Sequence, residues 1–220
     1  MKLEPIIPKV LSVQRLPAPD DAVLLAYGAD PSKHTSLGLV TCDQDDSTYV
    51  ALDEATKHAN VDVVYARSFY AGAGSASGPL SGEILGVIAA DNPDDIDEGL
   101  RALVRCLEHD ACFYGANDDG SIAVFPHVVT SLGHYLSAEA GLQPGDSMAY
   151  LIAPPMEASM AMDAALKSAD VRAVKVFTPP TETNYAGIWL TGSLDSCEAA
   201  AMAFLEAVVR VAERPRSCRS

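Results

Sequence analysis

Residues 51–64 read ALDEATKHANVDVV, and residues 161–174 read AMDAALKSADVRAV. At a constant offset of 110 residues, seven of these fourteen positions are identical. An offset of half the 220-residue chain indicates that one unit of about 100 residues has been duplicated. We therefore predict two domains, residues 1–115 and residues 116–220, each long enough to bury its own core.

Both copies show the same order of predicted elements. In the first copy, a helix over 51–60 precedes a strand over 61–65, a glycine-rich loop, a strand over 84–90 and a helix capped by Asn92. The second copy repeats this order, but the offset falls from 110 to 101 across the loop TPPTETNYAG. Strands that alternate with helices predict an α+β fold, in which each domain is a mixed sheet with helices packed on one side.

The composition excludes several classes of partner. A formal net charge of −15 disfavours binding to nucleic acid and to anionic membrane surfaces. No apolar run approaches the roughly 18 residues that span a bilayer. The N-terminal segment MKLEPIIPKVL carries prolines where a signal peptide carries an unbroken apolar core, which favours a cytoplasmic protein. The five cysteines include no CxxC pair and are expected to be reduced, buried thiols.

Longer stretches around the repeat resemble a known family. The segments DEATK and DAALKSADV resemble the edge-lysine helix of bacterial microcompartment shell domains. The runs over 36–74, 149–171 and 179–193 resemble the EutL-type shell proteins of the ethanolamine-utilisation microcompartment, and the resemblance covers nearly the whole chain. Departures from the family fall in residues 20–35, in 118–126 and at the tail, which we predict to be surface loops.

The resemblance implies an assembly as well as a fold. It implies two circularly permuted shell (BMC) domains in tandem, and a homotrimer whose six domains form a pseudo-hexagonal tile. Such tiles pack edge to edge with other shell proteins, in the cytoplasm, around enzymes. Lys57 and Lys167 match the lysines at the tile edges; without the repeat, each would be read as a solvated cation at a helix C-terminus.

The acidic run Asp43-Gln44-Asp45-Asp46 is open to three interpretations from its residues alone. Its carboxylates suit a metal ion, the cap of the following helix, or an organic cation. The resemblance favours the last, because in the family the matching residues line a small pore and hold ethanolamine, which is a cation at neutral pH. The residues that the resemblance assigns to this site are Asp45, Asp46, Glu83, Phe113, Thr183, Asn184 and Tyr185.

The glycine-rich loop is unlike a phosphate-binding loop, since it lacks the GK[ST] ending and precedes a strand. In the family, this loop and TPPTETNYAG approach the centre of the trimer and open or close a larger pore. Small residues permit such backbone motion. The residues predicted to gate the pore are Tyr70, Gly72, Gly74 and Tyr185.

One further pair, His127 and Glu157, is a candidate zinc site because both side chains can ligate zinc. A single histidine in the apolar run VFPHVV is more often a hydrogen-bonded core residue. We therefore expect no cofactor, with zinc at this pair as the one candidate metal.

No arrangement typical of catalysis stands out, whether a Ser/His/Asp order, a nucleophile elbow or a Cys/His motif. We predict a structural shell protein with gated pores and not an enzyme. Two alternatives stay open: a shell protein of a related compartment, such as one for propanediol, and a soluble trimeric regulator that binds a small molecule.

Overall fold

The structure is a computed structural model that describes residues 3–69 and 78–216. Its helices and strands follow in chain order. They are β1 (Pro5–Ile6), β2 (Val10–Pro17), α1 (Asp21–Ala26), β3 (Ser36–Cys42), α2 (Asp45–His58), β4 (Asp62–Ser68), β5 (Ile84–Ala90), α3 (Pro93–His109), β6 (Phe113–Gly115), β7 (Ala123–Val129), α4 (His134–Ala140), β8 (Ser147–Ala153), α5 (Pro155–Ser168), β9 (Val171–Phe177), β10 (Ala186–Gly192) and α6 (Leu194–Glu213).

The chain divides into two compact units. The N-terminal unit comprises Ile7–Ala111 and Gly133–Glu139, and the C-terminal unit comprises the remainder. The boundary between these units is therefore not the single division that the sequence predicted at residue 115. Strand β6 belongs to the C-terminal unit because Tyr114 pairs with Val124 of β7, so the turn at 117–121 joins two strands of one sheet. Residues 133–139 belong instead to the N-terminal unit.

The N-terminal unit is a four-stranded sheet in the order β2-β3-β5-β4. Helices α2 and α3 pack against each other and on one face of this sheet. Strands β3 and β4, which α2 connects, run in the same direction but are separated by β5. Each neighbouring pair of strands is therefore antiparallel, which refines the predicted mixed sheet.

The second face of this sheet carries the short helix α1, so the prediction of helices on one side only was wrong here. Side chains alternate between the faces of a strand. Gly38 approaches Leu100 of α3, while its neighbour Leu37 shares a buried cluster with Leu24 of α1. Residues 20–35 were expected to be a surface loop, but Asp20 caps α1 by accepting from Ala22 N, and Leu24 covers the sheet.

The C-terminal unit repeats this plan. Its sheet has the order β7-β8-β10-β9, equivalent strand for strand to β2-β3-β5-β4, and β6 and β1 extend it at the β7 edge. Helices α5 and α6 pack together on one face. Their core contains Ala161, Ala165, Phe204 and Val208. The predicted duplication and the α+β class are thus confirmed by the topology.

The helix ends follow from local sequence. Helix α3 begins as predicted, with Pro93 in its first turn and the Asn92 side chain accepting from Asp95 N at 2.9 Å. Helix α2 begins at Asp45, earlier than the predicted residue 51, because the acidic run forms its first turn. Within the described part of the chain, no helix combines the length and apolarity needed to cross a membrane.

The thiols agree with the sequence. All four described cysteines are free and buried, as expected: Cys42, Cys106, Cys112 and Cys197. Burial raises the pKa of the Cys106 thiol to about 12, so this thiol stays protonated and unreactive at neutral pH.

Candidate functional site

The acidic run lies where β3 ends and α2 begins, so its carboxylates meet a helix N-terminus. Asp45 and Asp46 are the first two residues of α2, and both are buried, with exposed fractions of 9% and 8%. The unpaired N–H groups of a first helical turn favour negative charge there. The Asp45 carboxylate accepts from Asp46 N at 2.9 Å. The Ser47 hydroxyl donates to Gln44 Oε1 at 2.9 Å.

Glu83 comes directly before β5 and is held by its backbone at the same end of the sheet. Its N–H donates to Cys42 O at 2.7 Å, and its carbonyl accepts from Phe69 N at 2.9 Å. The preceding residue, Gly82, has φ of 62°, and an added Cβ would collide with Cys42 O. Glycine at 82 therefore permits the close approach that sets Glu83 beside the acidic run.

The Glu83 side chain shows the electrostatic character of this cluster. Its Oε2 atom is buried and has no hydrogen-bond partner among the described residues. Burial raises the pKa of the Glu83 carboxyl, and the negative charges of Asp45 and Asp43 raise it further. Asp43 is itself exposed and accepts from Lys9 N at 2.7 Å. The structure thus brings Glu83 and the acidic run together in a cluster with an excess of negative charge.

The remaining predicted ligand residues lie in the C-terminal unit. Phe113, in β6, is buried and packs edge-on against Tyr185, with ring centroids 6.0 Å apart. Tyr185 O accepts from the Thr181 hydroxyl at 2.8 Å, which closes the turn before β10. Asn184 has φ of 59°, and Thr183 lies beside it in this turn. These four residues and the carboxylates therefore belong to different units.

The two predicted edge lysines end equivalent helices but differ in their surroundings. The Lys57 ammonium lies 2.5 Å from Glu54 and 3.5 Å from Asp53, and its side chain is 23% exposed. The Lys167 ammonium lies 2.7 Å from Asp163, and its side chain is 74% exposed. Lys167 is thus far more available to a neighbouring molecule.

Asp53 is a residue whose role the sequence did not reveal. It is fully buried, and its carboxylate accepts from Gly133 N and Leu136 N, each at 2.8 Å. The hydroxyl of Thr56 accepts from His134 N at 3.0 Å. Together these bonds fasten residues 133–139 onto α2. The signal available in the sequence was an aspartate shared by both copies at 53 and 163.

His127 and Glu157 are not brought together. His127 stacks on Phe125 with ring centroids 5.3 Å apart. His127 and Phe125 lie on one face of β7. Val128 lies on the opposite face, where it packs with the core under α5 and α6. Glu157 lies in the first turn of α5, on the helical side. Among the described residues, no group of three or more His, Cys, Asp or Glu side chains is placed to hold a metal ion.

Of the predicted gating residues, only Tyr185 can be located. Tyr70, Gly72 and Gly74 lie outside the described residues. The two loops that contain the predicted gating residues differ in length. Residues 69–83 join β4 to β5, whereas residues 178–185 join β9 to β10. The two copies thus diverge most in the loop that the sequence singled out.

A family model and a known protein both match this chain. The model of the BMC domain matches residues 36–107, which run from β3 to α3 and leave out β2, the strand that pairs with β3. The bacterial microcompartment shell protein EutL of Clostridium perfringens is 50% identical over 215 residues, which cover 98% of this chain and 99% of that protein.

Solved structures give the same result. A crystal structure of EutL from Clostridium perfringens superposes with a TM-score of 0.94 at 49% identity, covering 99% of this chain and 98% of that one. The ethanolamine utilization protein EutL from Leptotrichia buccalis also gives a TM-score of 0.94, at 48% identity, covering 99% and 100%.

Proposed function

The chain belongs to the EutL family of bacterial microcompartment shell proteins, and on this premise we propose what its carboxylate cluster and its two repeats do. It is a structural protein of the shell of an ethanolamine-utilisation microcompartment, and not an enzyme. The expected fold of two tandem shell domains and the location in the shell are thereby confirmed. Ligand binding, trimer formation and pore gating are the proposals.

The first proposal is that the carboxylate cluster binds the ethanolamine cation. One observation carries it: Glu83 Oε2 is buried without a hydrogen-bond partner among the described residues, beside two further carboxylates. A buried acceptor without a donor is unfavourable by about 1–3 kcal/mol. An ammonium group supplies both a donor and the missing positive charge. Asp45 and Asp46 then provide further acceptors.

Titration calorimetry with ethanolamine tests this proposal. We expect heat of binding for the unmodified protein and a loss of affinity of at least about tenfold for Asp45→Asn and for Glu83→Gln, since each removes a charge-assisted hydrogen bond. Glu98→Gln, an exposed carboxylate on α3, is the matched control and should bind as the unmodified protein does. Uncharged 1,2-propanediol should give no heat. Binding of propanediol but not ethanolamine would instead indicate a related compartment.

The second proposal is a homotrimer. Four residues form one stripe along α5, spaced at helical intervals, and all are exposed: Met156, Met160, Asp163 and Lys167. Three residues of the equivalent stripe on α2 are buried: Asp46, Val50 and Asp53.

Residues 133–139 cover part of the α2 stripe, as the two backbone N–H bonds that the Asp53 carboxylate accepts show. In a closed ring of repeats, a second copy of the chain covers α5 in the equivalent way. Light scattering should therefore give three times the 23.1 kDa mass of the chain.

The third proposal is a central pore gated by residues 69–83 and 178–185. Its support is the divergence of these loops between otherwise equivalent units. Tyr185 is held by Phe113 and by the bond from the Thr181 hydroxyl, so we expect it to be a fixed element of the gate. Conductance across a planar layer should rise when Tyr185 is replaced by alanine.

A further inference from the structure

The carboxylates of the cluster are not repeated at the equivalent positions of the C-terminal unit. Asp46 is the second residue of α2, and the second residue of α5 is Met156. Glu83 comes directly before β5, whereas Tyr185 comes directly before β10. The same junction of strands and helix therefore forms without carboxylates at these two positions. Because the fold does not require them, the negative charge at the N-terminal junction is better explained by a ligand.

The backbone of Glu83 is held on both sides. Its N–H donates to Cys42 O at 2.7 Å, and its carbonyl accepts from Phe69 N at 2.9 Å. A Cβ at Gly82 would collide with Cys42 O, so this turn lies close against the end of β3. These contacts keep the backbone from carrying the buried Oε2 atom of Glu83 out to water, so the atom needs a hydrogen-bond donor within the site.

Glu83 Oε2 requires a hydrogen-bond donor, which is a narrower requirement than positive charge. The atom is buried and has no hydrogen-bond partner within residues 3–69 and 78–216. A primary ammonium group supplies both a positive charge and three N–H donors. A quaternary ammonium group supplies the same charge but no N–H, so it would leave this buried acceptor unpaired. Proteins typically bind quaternary ammonium groups through the faces of aromatic rings.

We propose that Glu83 is a specificity-determining residue, which selects ligands that carry N–H donors and rejects quaternary ammonium compounds of the same charge. This inference rests on the proposed binding of ethanolamine. Choline is the sharpest comparison, because it keeps the hydroxyl and the charge of ethanolamine but has three methyl groups in place of the N–H hydrogens. A site that hydrogen-bonds its ligand rejects an analogue without the donor, since the buried acceptor is then left unpaired.

Titration calorimetry with three ligands separates the number of donors from the size of the ligand. We expect choline to bind at least about tenfold more weakly than ethanolamine, as for one buried acceptor left unpaired. The control ligand 2-amino-2-methyl-1-propanol carries two extra methyl groups on carbon and keeps all three N–H donors, so it should bind more tightly than choline. A smaller loss for choline, or a control ligand as weak as choline, would overturn the proposal. Absence of ethanolamine binding would instead contradict the proposed function.

A substitution at Glu83 tests whether this residue sets the preference. Glu83→Met keeps a side chain of similar length but removes both acceptor oxygens. The affinity for ethanolamine should therefore fall by a larger factor than the affinity for choline, and the preference should disappear. Glu98→Met, the same change at an exposed carboxylate on α3, should leave both affinities unchanged, and circular dichroism checks that both variants are folded. A Glu83→Met variant that still prefers ethanolamine by the original factor would assign the selectivity to another residue.

Discussion

At the scale of single residues, Asp53 and Asp163 show that equivalent residues of a repeat do different work. Asp53 is fully buried and accepts two backbone N–H bonds from residues 133–136. Asp163 is 65% exposed and pairs only with Lys167 in the described part of the chain. The sequence motif is the same at both positions, so the difference comes from what packs against each helix.

Replacing Asp53 should therefore be costly. We expect Asp53→Asn to lower the free energy of unfolding by about 2–4 kcal/mol, because two buried N–H groups lose a charged acceptor. Glu98→Gln, which removes an exposed ion pair with Arg101, should change it by less than about 0.5 kcal/mol. Urea denaturation at a fixed protein concentration measures both. Equal effects at the two positions would contradict the role assigned to residues 133–139.

Glu83 gives the ligand site a predicted pH dependence. Its carboxyl has a raised pKa, and protonation removes the negative charge that attracts an ammonium group. Ethanolamine affinity should therefore fall as the pH falls through this raised pKa, which lies above the ordinary carboxyl range. Because the bound cation lowers that pKa, binding in the same pH range should release protons.

Calorimetry in two buffers of different ionisation enthalpy measures this proton release. Glu83→Gln is the control, and its weaker binding should show no proton release in this range. Affinity that stays constant as the pH falls to the ordinary pKa of glutamate would contradict a protonatable Glu83 in the site.

At the scale of elements, α2 and α5 are equivalent helices with unequal neighbours. Helix α2 is buried over most of its length but exposed at Lys57 and His58, and only a glycine at 133 allows the covering segment to come this close. A Cβ at Gly133 would lie 2.6 Å from Asp53 O and closer still to the Thr56 hydroxyl. The segment 133–139 is therefore docked on α2 by a steric requirement as well as by hydrogen bonds.

Gly133→Ala should accordingly lower the free energy of unfolding by about 1–3 kcal/mol, the range for overpacking. Gly78→Ala is the matched control, since nothing lies within 4 Å of its Cβ position. Hydrogen exchange should show loss of protection at the Leu136 N–H, which donates a hydrogen bond to the Asp53 carboxylate. If Gly133→Ala and Gly78→Ala unfold at the same urea concentration, the close approach is not required.

At the scale of the whole molecule, the repeat supplies both halves of the proposed ring contact. Two units with the same strand order present equivalent helices, of which α2 is covered within the chain and α5 is exposed. Burial of apolar side chains such as Met160, 59% exposed in this structure, would stabilise the contact by about 1–3 kcal/mol each.

Met160→Glu should therefore dissociate the trimer, because it places a charge in the contact. Met202→Glu, on α6, starts from a similar exposure of 57% and should leave the trimer intact. Light scattering measures the mass, and circular dichroism checks that both variants stay folded. A trimer that survives Met160→Glu would place the contact elsewhere.

The sequence by itself determined the duplication, the α+β class, the strands β5 and β9, and the Asn92 helix cap. These follow from local patterns and from identity at a fixed offset. The family resemblance assigned the carboxylates to a ligand site, which stays a prediction, and the comparisons established the family.

Only the tertiary structure decided what covers each element. Helix α1, the fastening of residues 133–139 by Asp53, and the different surroundings of Lys57 and Lys167 depend on contacts between residues about 80 positions apart or on opposite faces of a sheet. The buried Oε2 of Glu83, which has no hydrogen-bond partner in the described part of the chain, likewise depends on tertiary structure, because a turn before β5 meets the start of α2. A repeat fixes equivalent positions along the chain, but burial and pairing at those positions are set by neighbours that the repeat does not specify.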